Sequence, residues 1–227
     1  MIGVFDSGVG GMTALAELRR LRSSVDITYL ADRENAPYGT KSEDKILLCA
    51  ENCIRRLRDA GAEKILIACC TASTLFGRMS EASKKIAVPI ISPAAKSAAR
   101  ATVNGRIAVI ATSATVRSRA FTREIRTHRK ANLLELEAQP LVAMVEGGAR
   151  DGAPLSRENE MLLDDILSPI RAFGADTLVL GCTHFSHLEE HISSRLEGVR
   201  LISPSREGAI EMAKATENRG SGKTVFI

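Results

Sequence analysis

At 227 residues, 44% hydrophobic and 26% charged, the chain is long enough to bury one large core or two small ones. A net charge of +4 with only 4% aromatics and no Trp argues against a nucleic-acid binder, which concentrates basic residues beside stacking rings. No apolar stretch approaches the ~20 residues that cross a bilayer, and five cysteines without paired C-x-x-C spacing suggest neither a disulfide framework nor a zinc site.

The opening Met1–Phe5 runs straight into a Gly-rich segment, without the pattern of a signal peptide. The expectation is a reducing, cytoplasmic compartment in which thiols stay free. Short apolar runs then recur at 2–5, 27–30, 64–68, 88–91, 106–110, 133–136, 177–180, 199–202 and 224–227. Rich in Val, Ile and Leu and bounded by Gly, Pro or Asp, they read as buried parallel strands.

Helical stretches lie between these runs. Thr40-Lys-Ser-Glu43 has the form of a capping box, after which Ile46, Cys49, Cys53 and Leu57 follow at helical spacing and Gly61 marks a stop. Cys49 and Cys53 share one helix face and are assigned to the core. Ser156 opens a second long helix that should end at Gly174. Such β-α alternation predicts an α/β fold with mostly parallel sheets flanked by helices.

The chain echoes itself. Val4–Gly8 is matched by Val109–Ser113, 105 residues later, and Leu66–Cys69 by Leu178–Cys182, with the cysteines 113 residues apart. A duplicated unit would give two pseudo-symmetric domains facing one cleft. The first is expected over 1–92, completed by 206–227, and the second over 93–205. The hinge falls near Ser92-Pro93 and the return near Ser203-Pro204.

Ligands of open α/β sheets bind beyond the carboxyl ends of the strands. Four segments of small, hydroxyl, thiol or ionisable residues stand there: Asp6–Gly11, Cys69–Ser73, Thr112–Thr115 and Gly181–His184. Helix starts that follow them favour a small anionic ligand. A lone cysteine ending an apolar run is ordinarily a small buried hydrophobe. Cys69 and Cys182 differ because they occupy matching positions of the two repeats, each before a threonine-bearing turn, where a helix N-terminus lowers a thiol pKa.

These segments resemble the glutamate racemase family of the aspartate/glutamate racemase superfamily. The likeness is carried by I-G-V-F-D-S-G-V-G-G-M-T at 2–13, A-P-Y-G-T-K-S at 36–42, C-C-T-A-S-T at 69–74, I-A-T-S-A-T-V-R-S at 110–118, L-V-A-M-V-E-G-G at 141–148 and G-C-T-H at 181–184. It implies interconversion of L- and D-glutamate without pyridoxal phosphate, metal or nucleotide, supplying D-glutamate for peptidoglycan. It also implies Cys69 and Cys182 as the proton-transfer pair, acting on D- and L-glutamate respectively. Asp6, His184 and Glu146 match family residues beside them. Ser7, Pro37, Tyr38, Gly39, Thr71, Thr115 and Thr183 match substrate-holding positions, as does the site of Cys70. A homodimer is one assembly the resemblance allows. On the residues alone, Asp6 is equally a strand-end turn residue and Glu146 an exposed helix charge.

Three departures stand out. Cys70 replaces the family's Asn, and a thiol is a weak donor and weak acceptor. Phe185-Ser186-His187-Leu188 replaces an aromatic-Pro-Leu continuation, and the sequence stops at Phe226-Ile227 where family members run on into a helix. A racemase of aspartate or a related amino acid, or a non-catalytic amino-acid-binding descendant, remains an alternative. A metal site of Cys182, His184, His187 and His191 lacks an acidic ligand, and Gly8-Val9-Gly10-Gly11 lacks the spacing of a nucleotide loop.

Overall fold

A computed structural model describes all residues 1–227. The chain runs β1 (Ile2–Asp6), α1 (Met12–Leu21), β2 (Ile27–Ala31), α2 (Glu43–Asp59), β3 (Lys64–Ile67), the single turn α3 (Cys70–Ser73), α4 (Glu81–Ile86) and β4 (Ala87–Pro89). It continues α5 (Ile91–Ala101), β5 (Arg106–Ala111), α6 (Ser113–Ser118), α7 (Ala120–His128), β6 (Asn132–Glu137) and α8 (Pro140–Glu146). The remainder is α9 (Arg157–Phe173), β7 (Thr177–Gly181), α10 (Glu189–Ser193), β8 (Arg200–Ile202), α11 (Pro204–Lys214) and β9 (Thr224–Phe226).

The strands form two sheets, ordered β4-β3-β1-β2-β9 and β6-β5-β7-β8, and every pairing is parallel. Read from the other edge, the second sheet is β8-β7-β5-β6. That matches the order β4-β3-β1-β2 position by position, with β5 and β7 in the places of their sequence echoes β1 and β3, and β9 is the one addition. The two strands that lead into Cys69 and Cys182, β3 and β7, lie directly beside the central strands β1 and β5.

The alternation of side chains across each strand divides the core into three. Ile2, Val4 and Leu66 of the first sheet and Ile107, Val109 and Val179 of the second face one shared core. Helices α5 and α11 contribute Ala94, Ala95, Ala98, Ala209 and Met212 to that core. Small residues let these elements approach: a Cβ at Gly208 would lie 3.1 Å from Ile90 Cβ. The opposite faces pack separately, with Phe5, Ile65 and Ile67 under α2 and Ile110, Leu178 and Leu180 under α9. Each fully buried Ile or Leu contributes about 1.5–3 kcal/mol. Burial on both faces explains why these strands are continuous apolar runs.

Helix ends follow the side chains. Ser156 caps α9 by accepting from Asn159 N, and Gly174 closes it at φ +68°, a left-handed position glycine takes without strain. The capping residue of α2 is Ser42, which accepts from Lys45 N; Thr40 instead bonds Pro37 O. The start therefore lies two residues later than the capping-box pattern suggested, because a short helical turn over Tyr38–Thr40 precedes it. The apolar run 88–91 is divided as well. Pro89 ends β4 and Ile91 begins α5, so Ser92-Pro93 occupies the first turn of that helix, where proline costs no hydrogen bond. No helix is long and apolar enough to cross a membrane.

Candidate active site

The carboxyl ends of the two sheets face each other across a small cavity. From the first sheet come Ser7 and Gly8 after β1, Pro37, Tyr38 and Gly39 from the turn after β2, and Cys69, Cys70 and Thr71 after β3. From the second come Thr112 after β5, Gln139, Val142 and Glu146 at α8, and Cys182, Thr183 and His184 after β7. The cavity measures about 20 Å³, room for a water molecule; an amino acid fits only once its walls separate. Larger hollows of about 560 and 600 Å³ lie elsewhere and contain neither Cys69 nor Cys182.

Each thiol has a polar companion. Ser7 Oγ lies 3.4 Å from Cys69 Sγ, and His184 Nδ1 lies 3.7 Å from Cys182 Sγ. His184 Nε2 is buried 3.5 Å from Glu146 Oε1, at ion-pair range but without hydrogen-bond alignment. Glu146 is half-exposed. Its exposure at the end of α8 agrees with the alternative of an exposed helix charge, while its carboxylate also bears on Cys182.

Asp6 and Thr115 sit one layer behind the cavity. Asp6 is fully buried and accepts from Gly8 N at 3.0 Å and from Thr183 Oγ1 at 3.2 Å, the second bond linking the two sheets. Thr115, Thr112 and Thr71 form a hydroxyl triangle with edges of 2.9 to 3.2 Å, which also crosses between sheets. Tyr38 turns its hydroxyl away from the cavity to donate to Asp32 Oδ2 at 2.5 Å, and Asn35 Nδ2 donates to the same carboxylate. That anchor, invisible in sequence, holds the Tyr38-Gly39 turn in the cavity wall. Tyr38→Phe is expected to cost about 1.5–3 kcal/mol, the range for a hydrogen bond to a charged group. Urea denaturation measures it, and an unchanged midpoint would count against the anchor.

Burial dominates the thiols. The Cys69 thiol is pushed up to about 11, first by desolvation and then by the Asp6 charge, against the lowering effect of the Ser7 hydroxyl and backbone amides. Cys182 is likewise raised, by desolvation first, with the His184 backbone opposing and nearby Cys69 and Asp6 adding. Cys70, 2% exposed, is raised by desolvation and by its two thiol neighbours. The lowering expected from the helix start is thus present as amide contacts but outweighed, because a thiolate in a dry cavity loses its hydration.

A stability consequence follows. Cys53, beside Tyr38 at 3.9 Å, is raised to about 12, again chiefly by burial. These four thiols keep their protons when the unfolded chain, with thiols near ~8.5, loses them. The native state then binds more protons, so stability is complete below about pH 8.5 and falls as pH rises. Each thiol contributes up to ~1.4 kcal/mol per pH unit, ending for Cys69 near its folded value of about 11. Denaturant midpoints between about pH 8 and 10.5 should fall, and fall less steeply in Cys53→Ala. A flat profile would contradict the burial of these groups.

His191 Nε2 lies 3.2 Å from the Arg150 carbonyl, and no three His, Cys, Asp or Glu side chains converge as a metal-ligand set. Cys49 and Cys53 are buried in α2, as their spacing indicated. Five cavity residues were missing from the sequence-based assignments: Gly8, Ala36, Thr112 and Val142, each inside a segment already singled out, and Gln139. Gln139 stands just past the end of β6, and that position was its one available signal.

The sequence profile of the Asp/Glu/Hydantoin racemase family matches residues 9–212. A glutamate racemase of Aquifex aeolicus is 36% identical over 225 residues, spanning 97% of this chain and 85% of the relative. The chain belongs to the glutamate racemase family. It is an amino-acid racemase, hence an isomerase. Solved structures agree in fold. A glutamate racemase isoform of Bacillus anthracis superposes with a TM-score of 0.90 at 28% identity, covering 100% of this chain and 86% of that one. The Francisella tularensis glutamate racemase, solved with D-glutamate, gives 0.87 at 29% identity over 99% and 86% of the two chains. Two parallel sheets flanked by helices are therefore the architecture of the family as well as of this chain.

Proposed function

We propose that this enzyme interconverts L- and D-glutamate by proton transfer through Cys69 and Cys182, in a cleft between two pseudo-symmetric domains. The observation that carries the reading is the pair of thiols, contributed by separate sheets, lining one small cavity. Relatives named as glutamate racemases, one of them solved with D-glutamate, support the choice of substrate.

Racemisation needs a base on one face of the α-carbon and an acid on the other. With D-glutamate, the Cys69 thiolate takes the α-proton, and Cys182 delivers its own proton to the opposite face. The product is L-glutamate, with Cys69 protonated and Cys182 a thiolate, ready for the reverse reaction. One proton passes from the α-carbon to Cys69 and one from Cys182 to the α-carbon, so the chemistry asks for no cofactor. Burial favours the protonated form of both thiols. When D-glutamate binds, its ammonium brings the positive charge that favours a thiolate, and the Cys69 proton leaves to solvent before the transfer. Ser7 at Cys69 and His184, backed by Glu146, at Cys182 are placed to stabilise whichever thiolate forms. Ser7, Pro37, Tyr38, Gly39, Cys70, Thr71, Thr115 and Thr183 hold the substrate directly or through their neighbours. In this reading the first domain comprises 1–92 with 206–227 and the second 93–205. The enzyme works in the cytoplasm and supplies D-glutamate for peptidoglycan.

Proton NMR in D2O tests the reading. The α-proton signal of either glutamate enantiomer should disappear at a catalytic rate. Retention of both signals by folded, reduced protein would overturn it, and loss from aspartate alone would move the activity to that substrate.

A further inference from the structure

The cavity contains a single side-chain carboxamide, that of Gln139. Gln139 stands at the capping position of α8, immediately before Pro140, yet its side chain makes no capping hydrogen bond. Its Oε1 is instead fully buried and has no partner. Leaving a buried amide oxygen unpaired is unfavourable, so the ordinary role of a helix-start residue does not account for this placement.

The surroundings indicate what the amide meets. A Cβ built on Gly39 would lie 2.5 Å from Gln139 Oε1 and 2.8 Å from Thr112 Cβ. The carboxamide therefore occupies the crevice between the Tyr38-Gly39 turn and the threonine triangle. Hydroxyls gather at this end. The carboxylates gather elsewhere, Asp6 on Thr183 and Glu146 beside His184. An ammonium group is better matched to the carboxylate end and a substrate carboxylate to the hydroxyl end. A half-turn about the Cγ–Cδ bond presents Nε2 in place of Oε1 and makes Gln139 a donor. Cys70, on the facing sheet, offers only a weak S–H.

We infer that Gln139 is a substrate-binding residue whose carboxamide donates to a carboxylate of the bound amino acid. The inference rests on the proposed function for the identity of that amino acid, and it adds a contact outside the motifs that carry the family resemblance.

The test uses Gln139→Leu, which keeps the bulk and removes the hydrogen bond, and Gln139→Met should the first variant fail to fold. KM and kcat for glutamate are measured alongside Ki for glutarate, which has two carboxylates and neither an ammonium nor a reactive α-centre. KM and Ki should rise together by about 10- to 100-fold, the loss expected for a charge-assisted hydrogen bond, with kcat within about threefold. Gln139→Glu, which sets a like charge against the substrate, should weaken both further. Unchanged KM and Ki in an otherwise active enzyme would overturn the inference and leave the racemase reading intact. A rise in KM with glutarate binding unaffected would also overturn it, since the contact would then be to the ammonium. Wild-type protein that is folded but inert toward glutamate would instead remove the racemase reading, and this inference with it.

Discussion

Cys69→Ser and Cys182→Ser are each expected to lower racemisation by about 10³-fold or more, within or above the usual worth of a positioned acid or base. A hydroxyl in the same dry cavity is far harder to ionise than a thiol, so the base is lost on one face and a poorer acid remains. Burial supports the prediction, because Cys69 and Cys182 are 4% and 7% exposed and bulk water cannot substitute for either. The fold should tolerate both changes, since serine is smaller and Ser7 or His184 can accept its hydrogen bond. Optical rotation for activity and circular dichroism for the thermal melt separate the two effects. Exchange in D2O adds a direction: Cys182→Ser should still exchange the α-proton of D-glutamate on the Cys69 face without inverting it. Full activity in either variant would remove the two-thiol mechanism.

Gly10→Ala is the second change with a large expected effect, and it acts on approach of the two sheets. A Cβ at Gly10 would lie 2.8 Å from the His184 backbone nitrogen and 2.9 Å from its Nδ1, with Thr183 Oγ1 closer still. Backbone cannot swing aside as a flexible side chain does. The turn after β1 would have to withdraw from the turn after β7, stretching the Thr183–Asp6 bond and moving the His184 ring relative to Cys182. A displacement of about 1 Å at a reacting centre costs on the order of 10²-fold, and that loss is expected in kcat/KM. Cores on the outer faces of both sheets are remote from Gly10, so cooperative unfolding should persist. Wild-type kinetics in this variant would mean that the contact between turns is dispensable.

All nine strands were legible as apolar runs. The central ones, β1, β3, β5 and β7, are buried on both faces and have no polar side to disguise them, whereas the edge strands β6 and β9 are apolar runs despite partial exposure. The exchangeable strand order of the two sheets was foreshadowed by Val4–Gly8 against Val109–Ser113 and Leu66–Cys69 against Leu178–Cys182. Boundaries were less legible. Residues 88–91 are apolar whether they end a strand or begin a helix, and only the structure assigns Ile91 to α5. Thr40 and Ser42 both suit a cap, and the turn at Tyr38–Thr40 decides between them. Within the site, the motifs identified the residues that touch the cavity from strand ends. They did not reveal Asp32 and Asn35 behind Tyr38, because that pairing depends on how the chain folds back after β2. Gln139 escaped for a related reason: it lies before a proline at a helix start, outside every motif, and only its place in the cavity and its unpartnered oxygen set it apart.

Polarimetry of the purified, reduced protein with D-glutamate tests the central claim most directly. The optical signal should decay to zero as the enantiomers equilibrate, and D-aspartate in a parallel cell should keep its rotation. A constant signal from D-glutamate, in a sample whose circular dichroism shows folded protein, would contradict glutamate racemisation by Cys69 and Cys182.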